Sequence, residues 1–135
     1  MPACAPMTTT TPATPTMNDS AEHFHRGVEL FNRGEFFEAH EEMEEAMNLL
    51  EGDESDWEFY LGVLRAAVAN HKLTDGVLDS AILHLRAALN FLAPYPDRHR
   101  GIKLREFRNA LTVQLDRLLT RTGPMPPTPR IEFAG

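Results

Sequence analysis

The stretch Phe36-Phe37-Glu38-Ala39-His40-Glu41-Glu42-Met43-Glu44 gathers the side chains of this sequence that are best placed to do chemistry. On a helix, at 100° per residue, His40 lies beside Phe36 and Met43 on the edge of an apolar stripe. Glu44 follows one turn later, and Glu41 shares a flank with Phe37. Imidazole and carboxylate are then offered on one face. A His and a Glu four residues apart are a sensible beginning for a divalent metal site, because imidazole nitrogen and carboxylate oxygen suit zinc, manganese or iron. The second histidine of a His-Glu-x-x-His motif is absent from this stretch. His71, at the end of a later apolar stripe, is the candidate to bring a second imidazole to the same interior spot.

These residues support two kinds of function. The leading expectation is a small binding or interaction module with a buried polar cluster of His40, Glu41, Glu44 and His71. Its neutral imidazoles would donate to carboxylates or carbonyls, fixing helix register without catalysis. The alternative is a metal-dependent hydrolase in which His40, Glu44 and His71 are ligands and Glu41 orients water as general base. A third arrangement, an adaptor, would accept a partner helix in a groove between hairpins. His23, His25, His84 and His99 are expected at the surface. Trp57, Phe59 and Tyr60 are expected to pack, with Trp57 near a helix start and placed to line a pocket mouth. No nucleophile elbow and no glycine-rich phosphate loop is found.

The elements that must position these groups are helical. Phe24, Gly27, Val28 and Phe31 recur at three and four residues and predict a first helix over 20–33, with Asp19 and Glu22 as a capping box and Gly34 as its stop. Phe36, Ala39, Met43, Ala46, Met47 and Leu50 form the stripe of a second helix. Gly52 and Asp53 break the chain, and Ser55 with Glu58 opens a third helix lined by Trp57, Tyr60, Leu61, Leu64, Ala67, Val68 and His71. Leu78, Ala81, Ile82, Leu85, Leu89 and Leu92 mark a fourth. Asp97 is the expected cap of a fifth helix over 98–120, with Leu104, Phe107, Leu111, Leu115 and Leu118 inward. No useful stretch alternates with period two, so no sheet is expected. Gly34, Ala39, Ala46, Asn48 and Leu50 recur forty-two residues later as Gly76, Ala81, Ala88, Asn90 and Leu92. This echo predicts an all-α five-helix bundle of antiparallel hairpins with tetratricopeptide-like packing through small side chains.

Length and composition agree with one helical domain at 18–121. The chain has 135 residues, 42% apolar and 24% charged, and no apolar run long enough for a spanning helix. Residues 1–17, rich in Thr and Pro, are expected to be a disordered tail, which places the lone Cys4 outside the fold and leaves Met1, Met7 or Met17 as the start. Residues 122–135 hold four prolines and form a second tail, from which Ile131 and Phe133 can dock as an extended strap. One cysteine and the lack of a secretory signal point to the cytoplasm. A net charge of -7 makes nucleic acid an unlikely partner. Between Gly34 and Glu58 there are eleven acidic residues and no Lys or Arg, whereas Arg98 to Arg121 holds seven basic residues. Solvated faces explain this segregation, or pairing within the fold, with a protein partner or with a second copy of the chain.

The same residues resemble the bacterial and archaeal family known as domain of unknown function 309. Its aromatic pair followed by Glu-x-His-Glu-x-x-Glu is matched by Phe36, Phe37, Glu38, His40, Glu41 and Glu44, and its glycine, Ala-rich turn and histidine by Gly62, Ala66, Ala67 and His71. Gly101-Ile102 before the last helix is also similar. The resemblance runs from about Phe24 to Leu118. It implies a compact all-helical fold with His40, Glu41, Glu44 and His71 near one another, and no particular activity. Met47 stands where the family usually has tryptophan, and Leu61 and Arg65 where it has glutamines, which implies a less polar pocket.

Overall fold

Two glycines frame the architecture. Gly34 and Gly76 adopt φ of 83° and 80°, a conformation that costs a side-chain-bearing residue about 1–2 kcal/mol. Each closes a helix in the same way. Gly34 N–H donates to Phe31 O at 3.0 Å and Glu35 N–H to Leu30 O at 2.9 Å, while Gly76 N–H donates to Leu73 O at 3.1 Å and Val77 N–H to Lys72 O at 2.9 Å. This double bond pattern satisfies the last carbonyls of a helix and turns the chain back on itself. The forty-two-residue echo is therefore an echo of two hairpins.

The computed structural model describes residues 17–50, 54–121 and 123–134. The expectations for the Thr/Pro-rich segment before Met17 and for the break at Gly52 and Asp53 lie outside the described residues. In chain order the elements are α1 (Met17–Asn32), α2 (Phe36–Asn48), a 3-10 turn (Glu54–Asp56), α3 (Trp57–Thr74), α4 (Leu78–Leu92), β1 (Arg98–His99), β2 (Ile102–Lys103) and α5 (Leu104–Thr120). The fold is all-α: α1 packs on α2, α2 on α3, α3 on α4 and α4 on α5. α1 begins at Met17, ahead of Asp19, so Asp19 acts as a first-turn acid and not as the cap.

Small side chains let the hairpins close. A Cβ on Gly27 would lie 2.8 Å from Met43 Cε, and one on Gly62 would lie 2.7 Å from Leu92 Cγ. α3 is covered by helices on two sides, so Phe59, Tyr60, Val63, Leu64, Ala66, Ala67 and Ala69 are all buried, a wider face than the single stripe predicted. Trp57, at its exposed first turn, is 45% accessible and lies outside that core. Asn70 and Gln114, 3% and 2% accessible, satisfy one another: Gln114 Nε2 donates to Asn70 Oδ1 at 2.7 Å, and Asn70 Nδ2 donates to Ala66 O at 3.0 Å. The amide pair ties α3 to α5 without leaving a buried polar atom unpaired.

The predicted start of the fifth helix at 98 is corrected by a short hairpin. Arg98 pairs with Lys103 and His99 with Ile102 in antiparallel register. Arg100 and Gly101 between them have φ of 50° and 80°, the two positive values that a tight two-residue hairpin requires. Strands this short carry no readable period, so the sheet was invisible to pattern. Asp97 still holds the beginning of α5, by its carbonyl to Arg105 N–H at 3.0 Å and by its carboxylate to Arg108 Nη2 at 3.2 Å.

The C-terminal segment docks on this hairpin. Ile102 bridges Phe133, Lys103 N–H donates to Glu132 O at 2.8 Å, and Ala134 N–H donates to Gly101 O at 2.7 Å. Ile131 is 1% accessible. Its backbone is clamped by the Asn32 side chain, which donates to Ile131 O and accepts from Ile131 N–H, both at 2.9 Å. Phe133 remains 40% accessible and stacks on His25 with ring centroids 4.5 Å apart.

Candidate functional site

α2 and α3 bring His40 and His71 to one surface hollow of about 220 Å³, lined by Phe36, Phe37, His40, Val68, His71 and Lys72. The local reason is register. Phe36 is buried as part of the α2 stripe, and His40 follows it by one turn at the edge of that stripe, half-buried. Val68 and His71 are three apart on α3, and Lys72 is one turn beyond Val68. The Phe37 ring stands between the imidazoles, its centroid 5.8 Å from that of His40 and 5.7 Å from that of His71. That ring is 48% accessible, so the hollow opens to water.

The acids take a different place. Glu41 and Glu44 are exposed on α2 and do not line the hollow, so the expectation of a buried His/Glu cluster is corrected. An ionised carboxylate without a fixed partner stays in water because burial would cost several kcal/mol. The carboxylate nearest His71 comes from its own helix end: Asp75 Oδ2 is 3.5 Å from His71 Nε2. Among the described residues no three His, Cys, Asp or Glu side chains form a group that could hold a metal ion. His40, Glu44 and His71 are thus not gathered into such a group: the two histidines line the hollow while Glu41 and Glu44 stand outside it.

A basic fringe extends from the hollow along α3 and α4. Arg65 Nη1 lies 3.0 Å from His84 Nδ1 and donates to it. Burial, then the charges of Arg65 and Lys72, hold the His84 imidazole below its ordinary value, so it is neutral near pH 7 and free to accept. His84 is half-buried, not at the surface as expected. His23 is another departure: its Nδ1 is 2.6 Å from Glu42 Oε1, which Arg26 also approaches at 3.6 Å, and this pairing fastens α1 to α2.

A second polar cluster lies where the hairpin meets α3, and pattern reasoning missed it. Asp56, only 7% accessible, accepts from His99 Nε2 at 2.9 Å and from Arg100 Nε. Arg100 Nη1 reaches Tyr60 Oη at 3.3 Å, and the guanidinium carbon lies 5.4 Å from the centre of the Tyr60 ring. Burial pushes the Asp56 carboxyl up, but the hydrogen bonds and charges of Arg100 and His99 outweigh it and hold the group below its ordinary value. Burial raises the Tyr60 phenol, with Arg100 opposing. Tyr95 completes the corner, donating to Ser55 O at 2.7 Å and accepting from Phe59 N–H at 3.1 Å. The sequence signal was confined to Gly101, since Arg100 is not a residue that favours the positive φ it adopts, and the turn carries His99 and Arg100 toward Asp56. These groups neutralise one another and clasp the hairpin to the bundle.

Comparison with known proteins gives the lineage. The family model for Domain of unknown function (DUF309) matches residues 24–83. Residues 24–83 belong to the DUF309 family. The DUF309 segment runs from α1 into α4 and contains His40, His71 and Lys72, whereas His99 and Arg100 lie beyond it. An "Uncharacterized protein" of Aquifex aeolicus (strain VF5) is 38% identical over 88 residues, which is 65% of this chain and 26% of that protein. The chain thus spans about a quarter of the length of this curated relative. Among the described residues no helix is long and apolar enough to cross a membrane.

Proposed function

We propose that the protein is a binding module of the cytoplasm whose ligand site is the hollow between α2 and α3. The observation that carries this is the convergence of His40 and His71, from separate helices, on the accessible ring of Phe37. Apolar walls with a few polar groups are the usual make-up of a ligand pocket, and here Phe36 and Val68 supply the former and two imidazoles the latter. A volume near 220 Å³ falls below the roughly 300–1,000 Å³ of drug-sized sites, so the occupant is small. The test is a fragment screen read by amide and imidazole NMR shifts of the full chain. Shifts that cluster on Phe37, His40, Val68 and His71 support the site. Shifts absent there, or centred elsewhere, refute it.

A further inference from the structure

We infer that the α2–α3 hollow selects a small organic anion, a carboxylate on an apolar or aromatic body, with Lys72 as its charge anchor. The inference rests on the binding function proposed above and adds the class of ligand. Its basis is an imbalance of charge. The lining contains two imidazoles and an ammonium and no carboxylate. Lys72 is half-buried and has no acidic partner among the described residues, although the chain as a whole carries a net charge of -7. Arg65, on the same helix, donates to a histidine and not to an acid. Among the described residues, Asp75, 3.5 Å from His71, is the one carboxylate paired with this group of bases.

The helix dipole accounts for part of this. Bases are favoured in a last turn, where His71 and Lys72 stand. It does not account for Arg65, nearly two turns upstream, or for His40 on another helix. The positive charges of Arg65 and Lys72 both bear on His84, and a bound anion would offset such a concentration of positive charge. The apolar half of the lining then decides what the anion is attached to. Phe36, Phe37 and Val68 give a ring or short hydrocarbon a surface to lie on, while His40, His71 and Lys72 offer donors to its carboxylate.

Benzoate, benzyl alcohol and benzylamine share a ring and differ in charge, so titrating each into the full chain and following the NMR shifts of Phe37, His40 and His71 separates the possibilities. Benzoate binding, with the alcohol weaker and the amine weaker still, is the expected order. Lys72→Met should weaken benzoate about tenfold, the loss of one charge-assisted hydrogen bond, and Lys72→Arg should retain most of the affinity. Circular dichroism confirms that both variants fold. Equal binding of all three probes, or benzoate binding indifferent to Lys72→Met, overturns the anion assignment and leaves the hollow as a binding site. No shift at these residues with any probe overturns the assignment and counts against the site as well.

Discussion

Asp56→Asn is the substitution that most directly tests how the hairpin is held. The carboxylate accepts from two donors, His99 Nε2 and Arg100 Nε. An asparagine amide has one accepting oxygen, and its NH₂ would face the other donor. One hydrogen bond is therefore lost, and the survivor loses the contribution of the carboxylate's charge. A hydrogen bond to a charged group is worth about 1.5–3 kcal/mol, and the side chains of His99 and Arg100 are 22% and 29% accessible, so water screens part of the loss. We expect about 2 kcal/mol at pH 7, roughly a thirtyfold change in the unfolding equilibrium, and a Tm lower by about 8 °C. The effect must depend on pH. Because the folded Asp56 carboxyl titrates below its unfolded value, its stabilisation is fully present above about pH 4–5 and is lost as pH falls through the folded value. Urea unfolding of both proteins by circular dichroism, at pH 7 and pH 3, gives the comparison. The gap should narrow at pH 3. An equal gap at both pH values, or none at pH 7, would refute the assignment of this stability to ionised Asp56.

Two further outcomes follow from the packing. Gly62→Ala would gain about 1 kcal/mol of helix propensity but push a Cβ to 2.7 Å from Leu92 Cγ, where overpacking costs about 1–3 kcal/mol, so thermal unfolding should show net destabilisation; a raised Tm would show that the α3–α4 crossing has slack. Ile131→Ala should cost about 2–4 kcal/mol by removing a buried side chain, and Asn32→Ala about 1–2 kcal/mol by removing two hydrogen bonds, with the double variant less affected than the sum because both hold one segment. Strict additivity in urea unfolding would show that the segment is not docked as a unit.

The helices were legible because each stripe repeats over several turns: Phe36, Ala39, Met43, Ala46 and Met47 are buried as the 3.6-residue period requires. The glycine stops were legible for a related reason, since only glycine enters that turn cheaply. The hairpin at Arg98–Lys103 was not, because two residues per strand are too few for a period and its register depends on positive φ at Arg100. At the candidate site the two histidines could be assigned to helix faces from spacing alone. Spacing could not tell which side of α2 meets α3, and that fact puts Lys72 in the hollow while Glu41 and Glu44 face water. Gln114 shows the same limit: a polar residue occupies a buried position because Asn70 is waiting opposite, a pairing that exists only in three dimensions.

The clamp of Asn32 on Ile131 joins positions ninety-nine residues apart. Helical hairpins stacked in series touch mainly their neighbours, so such assemblies tend to peel from an end, one layer at a time. Here the outermost layer on the α1 side is stitched to the last docked stretch of the chain. Separating either of these layers from the bundle must break that stitch, so the two cannot leave independently of one another.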